Sequence, residues 1–121
     1  IAVRLEKLPA FIENMEAKFT SEYPDLRSVW FGHLGDGNIH LNVLKPESWS
    51  DQQFVDNGPG ITEMILTLVK QVQGSISAEH GVGLLKKEYL SFGIDTPQIE
   101  HLKNLKTCFD PKGIINAGKV V

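Results

Sequence analysis

The chain has 121 residues, 41% of them hydrophobic and 22% charged, with a formal net charge of -3. That is the size and balance of one globular domain with a single core, and the slight acidic excess gives no electrostatic basis for binding nucleic acid or an anionic membrane. The lone cysteine, Cys108, excludes an internal disulfide and, among Leu105, Lys106 and Phe109, reads as a small buried apolar residue; no apolar run approaches the roughly 20 residues that cross a bilayer.

The chain opens at Ile1 rather than Met, inside a strand predicted over Ile1 to Leu5, so it is expected to be a piece of a longer protein. No signal peptide is visible. Leu8, Phe11, Ile12, Met15 and Phe19 mark one face of a first helix, with Pro9 suited to its opening turn and Pro24 beyond its end. A hairpin follows, and the polar stretch from Lys45 to Gly60, with its Pro and Gly, reads as a loop. Ile61, Met64, Ile65, Leu68, Val69 and Val72 recur at helical spacing, and Gly74 is placed to cap that helix before a short alternating strand, Ser75 to Ala78. Two further helices are predicted over Leu84 to Phe92 and Pro97 to Phe109, the second with Thr96 as N-cap. Strand, helix, strand, strand, helix, strand predicts an α+β fold, a ferredoxin-like four-stranded antiparallel sheet with two helices on one face and C-terminal helices added.

The hairpin lies in FGHLGDGNIHLNV, Phe31 to Val43. Asp36-Gly37 is a preferred central pair for a two-residue type I′ turn. With that turn, Gly35 pairs with Asn38, Leu34 with Ile39 and His33 with His40, whose Cβ atoms would lie roughly 5 Å apart. Two imidazoles at that distance can share one metal ion. Alternation puts Trp30, Leu34, Ile39, Leu41 and Val43 on one face and His33, Asn38, His40 and Asn42 on the other, one for the core and one for chemistry.

A third ligand is available in SISAEHGVG, Ser75 to Gly83. Glu79 and His80 would point to opposite sides of a continuing strand, but a turn starting at Gly81 can swing both toward one pocket. Two histidines and a carboxylate are a familiar set for zinc, manganese or iron(II), with positions left open for substrate. His80 would then be spare, and a histidine beside a metal site is a natural general base at neutral pH. On spacing alone, Glu79 and His80 are equally well read as polar residues at a strand end. The glycines of GHLGDGN and GVG form neither G-x-G-x-x-G nor a P-loop, which leaves nucleotide-phosphate binding weak.

GHLGDGNIH, SAEHGVG and the terminal FDPKGIINAGK, in that order and spacing, resemble the C-terminal domain of FAD-linked oxidases of the vanillyl-alcohol oxidase type, and within it the D-2-hydroxyglutarate dehydrogenase, D-lactate dehydrogenase and glycolate oxidase flavoprotein subunit group. The resemblance covers nearly the whole chain. It implies the ferredoxin-like fold, a divalent metal, commonly zinc, on His33, His40 and Glu79, and His80 as base. It also implies that Asn42 helps hold the substrate and that Asn116, with Glu79 and His80, borders the flavin. Ala117 stands where the family's terminal motif usually has proline. The FAD-binding domain, and the arginine and lysine that often grip the substrate carboxylate, would lie upstream of Ile1.

The function these parts imply is metal-assisted oxidation of a D-2-hydroxy acid, of the 2-hydroxyglutarate, lactate or glycolate type, to the 2-oxo acid. His80 would take the hydroxyl proton as hydride leaves for flavin. The partners implied are the chain's own N-terminal FAD domain and a small hydroxy acid, with no nucleic acid; the resemblance also allows a homodimer. The address implied is cytoplasmic or peripheral to a membrane, and mitochondrial in a eukaryote. Two rivals stand beside this reading. One is a freestanding metal-binding or metallohydrolase domain; the other is a ferredoxin-like module for RNA or protein, although the polar sheet face lacks the aromatics and basic residues that RNA needs.

Overall fold

In the computed structural model, which describes residues 1–121 throughout, apolar spacing and helix-end chemistry together set the helices. The first, α1 (Leu8–Glu22), carries proline in its first turn, where a missing N–H costs nothing, and buries Leu8, Phe11, Met15 and Phe19. The two strands of the hairpin are β1 (Arg27–His33) and β2 (Asn38–Leu44). The second helix, α2 (Asp51–Gln71), buries Ile61, Leu66 and Val69. Both helices share one core with Val3, Leu26, Ile39 and Ile76, and Trp30, Leu41 and Val43 pack against it, so α1 and α2 cover the expected apolar face of the hairpin. Phe11, Met15 and Val69 are the most enclosed side chains, each contributing about 1.5–3 kcal/mol through burial. Phe11 meets the Trp30 ring edge-on with centroids 6.2 Å apart.

The α+β class is present, but the sheet has two strands, and the other two positions of the expected four-stranded order are single-residue bridges. Ala2 bridges Asn38 on one side and Ser75 on the other, which sets the order β1, β2, Ala2, Ser75, all antiparallel. The expected strand over Ile1 to Leu5 stops early, because Leu5–Lys7 winds into a 3₁₀ turn leading into α1. The expected strand over Ser75 to Ala78 stops at Ser75, whose Oγ accepts from Ser77 N–H and donates to Ser77 C=O. A serine bonding its own neighbours in this way competes with a sheet ladder.

The hairpin register also differs from expectation. Leu34–Asp36 form a 3₁₀ turn closed by Gly37 at φ 66°, so the loop is Leu34 to Gly37 and not Asp36-Gly37 alone. His33 therefore pairs with Asn38, and His40 with Phe31. The slip is two residues, which preserves which face each side chain occupies. Leu34, in the turn, leaves the core face and is exposed. Gly37 is required on two counts: its φ is left-handed, and a Cβ there would collide with the Val3 carbonyl oxygen.

Helix ends account for the other departures. Residues 51–60, expected as loop, are helical because Ser50 and Gln53 form a reciprocal capping box and Trp49 packs on Phe54 across it, a hydrophobic staple. Pro59 lies inside that helix. At its other end Gln73, not Gly74, takes the left-handed position (φ 58°), with Gln73 N–H donating to Lys70 C=O and Gly74 N–H to Val69 C=O. The stretch expected as a helix over Leu84 to Phe92 is a 3₁₀ helix over Lys87–Phe92, with Leu84 and Leu85 exposed. The last helix, α3 (Thr96–Phe109), is capped by Asp95 and Gln98 rather than by Thr96 and buries no residue, so Cys108 is exposed, contrary to expectation.

The terminal segment is organised by Asp110, whose side chain is 6% exposed. Oδ1 accepts from Ile114 N–H at 3.0 Å and Oδ2 from Ile115 N–H at 2.8 Å. Burial alone would push this carboxyl up, but the Ile115 and Ile114 donors and the Lys106 ammonium outweigh it and hold it below the ordinary 3.8. The turn is then tied back to the body by Val120 N–H donating to Gly83 C=O at 2.9 Å.

Two predictions follow from these contacts. Gly37→Ala should destabilise by more than about 2 kcal/mol in denaturant unfolding, the sum of a left-handed penalty and the carbonyl collision. Gly35→Ala, where a Cβ meets open space, should stay within about 0.5 kcal/mol. For Asp110, a depressed folded-state value means that the ionised carboxyl adds stability that is complete above pH 3.8 and is lost as pH falls through the folded value. The stability gap between the parent and Asp110→Asn should accordingly be present at neutral pH and close in acid; a gap unchanged down to pH 2 refutes the assignment.

Candidate functional site

The hairpin face turned away from α1 and α2 carries the expected chemistry. Alternation from the observed register places Val29, Phe31 and His33 of β1 beside Asn42, His40 and Asn38 of β2. His33 closes β1 directly across from Asn38, the first residue of β2. The segment after α2 comes to the same place through the sheet, since Ala2 links Asn38 to Ser75. Four residues beyond Ser75, Glu79 reaches the end of the hairpin. The chain then reverses at Gly81 (φ 71°), and Ser77 Oγ donates to Gly81 C=O at 2.9 Å. Ahead of that curl the His80 Nε2 and Glu79 Oε2 atoms lie 3.7 Å apart.

The outcome is a cluster centred on the Glu79 carboxylate. Oε1 accepts from Asn38 Nδ2 and lies 3.4 Å from His33 Nδ1, while Oε2 lies 3.7 Å from His80 Nε2. Asn38 Nδ2 is also 3.4 Å from His33 Nδ1. His33, His80 and Glu79 are all exposed, at 69%, 82% and 39% side-chain exposure. Asn38 is buried beneath them. An open acid-and-imidazole cluster on a buried amide can bind a cation or a polar ligand and can pass a proton.

His40 does not join this cluster. With the register moved by two, it faces Phe31 and stacks on that ring, centroids 5.0 Å apart and planes 9° from parallel. It is a diagonal neighbour of His33, for which Cβ separations are nearer roughly 7 Å than 5 Å. The expected opposition of the two histidines is corrected on this point.

For a metal, the donor spacing fits in part. Two ligand atoms each about 2.1 Å from a tetrahedral zinc lie roughly 3.4 Å apart, which is the His33 Nδ1 to Glu79 Oε1 distance. No group of three or more His, Cys, Asp or Glu side chains converges on one point, because His40 is engaged with Phe31. Asn42 is exposed on the same face, across from Val29. Asn116 sits in the terminal turn at φ 46°, lining a cleft with Gly83, Lys106 and Lys119. It is joined to the Glu79 and His80 loop through the Val120 to Gly83 hydrogen bond.

Asn38 and Phe31 are the residues that sequence reasoning left without a role. Alternation had put Asn38 on the histidine face, but only the four-residue loop sets it against His33 and under Glu79. The Phe31 stack follows from the same shift.

Comparison with known proteins agrees with the motifs. Residues 1–120 match the family described as FAD linked oxidases, C-terminal domain. The D-2-hydroxyglutarate dehydrogenase of Stutzerimonas stutzeri is 43% identical over 120 residues, which is 99% of this chain and 26% of that protein. The mitochondrial D-2-hydroxyglutarate dehydrogenase of Danio rerio is 31% identical over 121 residues, 100% of this chain and 21% of that protein. The D-lactate dehydrogenase of Archaeoglobus fulgidus is 38% identical over 93 residues, 77% of this chain and 20% of that protein. The chain thus spans about a quarter or less of the length of these relatives. No helix is long and apolar enough to cross a membrane. Matched over residues 1–120, this chain belongs to the family of FAD linked oxidases, C-terminal domain.

Proposed function

We propose that this chain is the substrate-side domain of an FAD-dependent dehydrogenase that oxidises a D-2-hydroxy acid, of the 2-hydroxyglutarate, lactate or glycolate type, to the 2-oxo acid. The observation that carries the reading is the meeting of His33, Glu79 and His80 around one carboxylate, in a chain whose relatives are named for oxidations of this kind.

His33 and Glu79, joined by His40 once that ring leaves its stack on Phe31, would hold a divalent ion, with zinc favoured over manganese by the two imidazoles. When bound, the ion supplies a Lewis acid for the carboxylate and hydroxyl oxygens, and FAD, held mainly by an N-terminal domain of the full-length protein, accepts hydride. His80 takes the hydroxyl proton on a ring nitrogen, and its exposure leaves it free to approach a substrate above Glu79. Asn42, on the same face, offers an amide to the substrate, and Asn116 reaches the flavin side from the terminal turn. The proposed address is mitochondrial in a eukaryote and cytoplasmic or membrane-peripheral in a bacterium.

The full-length protein tests this. It should contain a divalent ion that is lost in His33→Ala, His40→Ala and Glu79→Ala by elemental analysis; unchanged metal in all three rules out the site. His80→Ala should keep metal and the flavin spectrum and lose roughly 10²- to 10⁴-fold in the rate of flavin reduction. Near-parental reduction by that variant would refute His80 as base. The 121-residue chain expressed alone should oxidise no D-2-hydroxy acid, because on this reading FAD is held mainly by an N-terminal domain of the full-length protein.

A further inference from the structure

Asn38 and Asp110 are the two buried polar or charged side chains. Both Asp110 oxygens accept backbone N–H groups, whereas Asn38 Oδ1 is enclosed without any partner. Cores seldom retain an unpaired buried acceptor, because its desolvation is uncompensated. The other end of the same amide is fully used: Nδ2 donates to Glu79 Oε1 and lies 3.4 Å from His33 Nδ1. The group cannot turn over, since that would press Oδ1 against the Glu79 carboxylate. Its backbone is fixed too, paired with His33 on one side and bridged by Ala2 on the other.

We propose that Asn38 is the positioning residue of this site: its carboxamide fixes Glu79 Oε1 beside His33 and so leaves Oε2 toward His80. The inference rests on the reading of His33, Glu79 and His80 as the working set, and it assigns Asn38 an effect through Glu79 rather than on the substrate. A residue kept only for packing would leave the site unchanged when replaced by an apolar side chain of similar size. Asn38→Leu instead removes the unpaired oxygen together with the bond to Glu79, so the fold should keep its stability while the site loses its order.

The test uses the full-length flavoprotein stripped of metal. Zinc(II), titrated against a chelator, should bind Asn38→Leu roughly 10- to 100-fold more weakly than the parent, with the flavin spectrum retained and no fall in melting temperature. In a Glu79→Ala background the same substitution should change zinc affinity by less than about twofold, because the carboxylate it positions is gone. Unchanged zinc affinity in Asn38→Leu, or equal losses in both backgrounds, overturns the proposal. Should the parent bind no zinc, the metal reading fails on its own. The same two-background comparison in kcat/KM for D-2-hydroxyglutarate then decides: a loss confined to the background that retains Glu79 sustains the role of Asn38, and equal losses end it. If Asn38→Leu does not fold, Asn38→Ser, which fits the same space but falls short of Glu79, is measured against the same outcomes.

Discussion

Three residues at the start of the chain hold the two halves of the site in place, because Ala2 is hydrogen-bonded to Ser75 while its neighbours Ile1 and Val3 are hydrogen-bonded to the hairpin. Ala2 and Ser75 exchange N–H and C=O at 2.9 and 2.8 Å, while Ile39 N–H donates to Ile1 C=O and Val3 N–H donates to Gly37 C=O, each at 2.9 Å. The first pair carries the segment that ends in Glu79 and His80; the second carries the hairpin that ends in His33 and Asn38. Each such bond is worth only about 0.5–1.5 kcal/mol net, but together they fix the height of the Glu79 loop against the hairpin tip. The core supports the arrangement from below, with Val3 and Ile76 buried on either side of the same bridge.

That support leaves the opposite face bare. Val29 and Phe31 stand exposed beside the histidines, so the face is mixed rather than uniformly polar. The Phe31 ring beneath His40 gives that imidazole a flat, apolar neighbour. The Glu79 cluster, by contrast, is built from polar groups on a buried amide, and the two histidines of the hairpin therefore occupy different surroundings.

What the sequence revealed depended on which period or rule was being read. The faces of the hairpin were legible, since side chains alternate by two and a slip of two residues leaves them unchanged. The partners were not legible, because Asp36-Gly37 is good turn chemistry for a two-residue loop, while the contact that selects the longer loop, Gly37 against Val3, joins segments far apart in the chain. The core faces of α1 and α2 followed from apolar spacing, with Leu66 the buried residue that escaped it. Helix starts were legible in principle: Ser50 with Gln53 and Asp95 with Gln98 are capping boxes written in the chain. The prolines and glycines near the first, and the proline next to Thr96 at the second, drew the reading away from them. The turn at Gly81 was legible from the glycine, whereas the role of Asn38 needed burial and an unpaired atom, which no linear pattern carries.

The long second helix has a consequence of its own. Its buried residues begin only at Ile61, and before them come Gly58, Pro59 and Gly60, with Pro59 unable to supply the N–H that the Val55 carbonyl would otherwise receive. The helix is therefore two units of unequal cohesion. The inner turns, carrying Ile61 to Val69, can open only with the core, while the outer turns rest on the Ser50 box and the Trp49 and Phe54 pair. Their amide hydrogens should exchange with solvent well before those of the inner turns. The connection from the hairpin to the core is thus an arm that can fray without disturbing the chemistry, and a stretch where insertions or changes of sequence would cost the fold least.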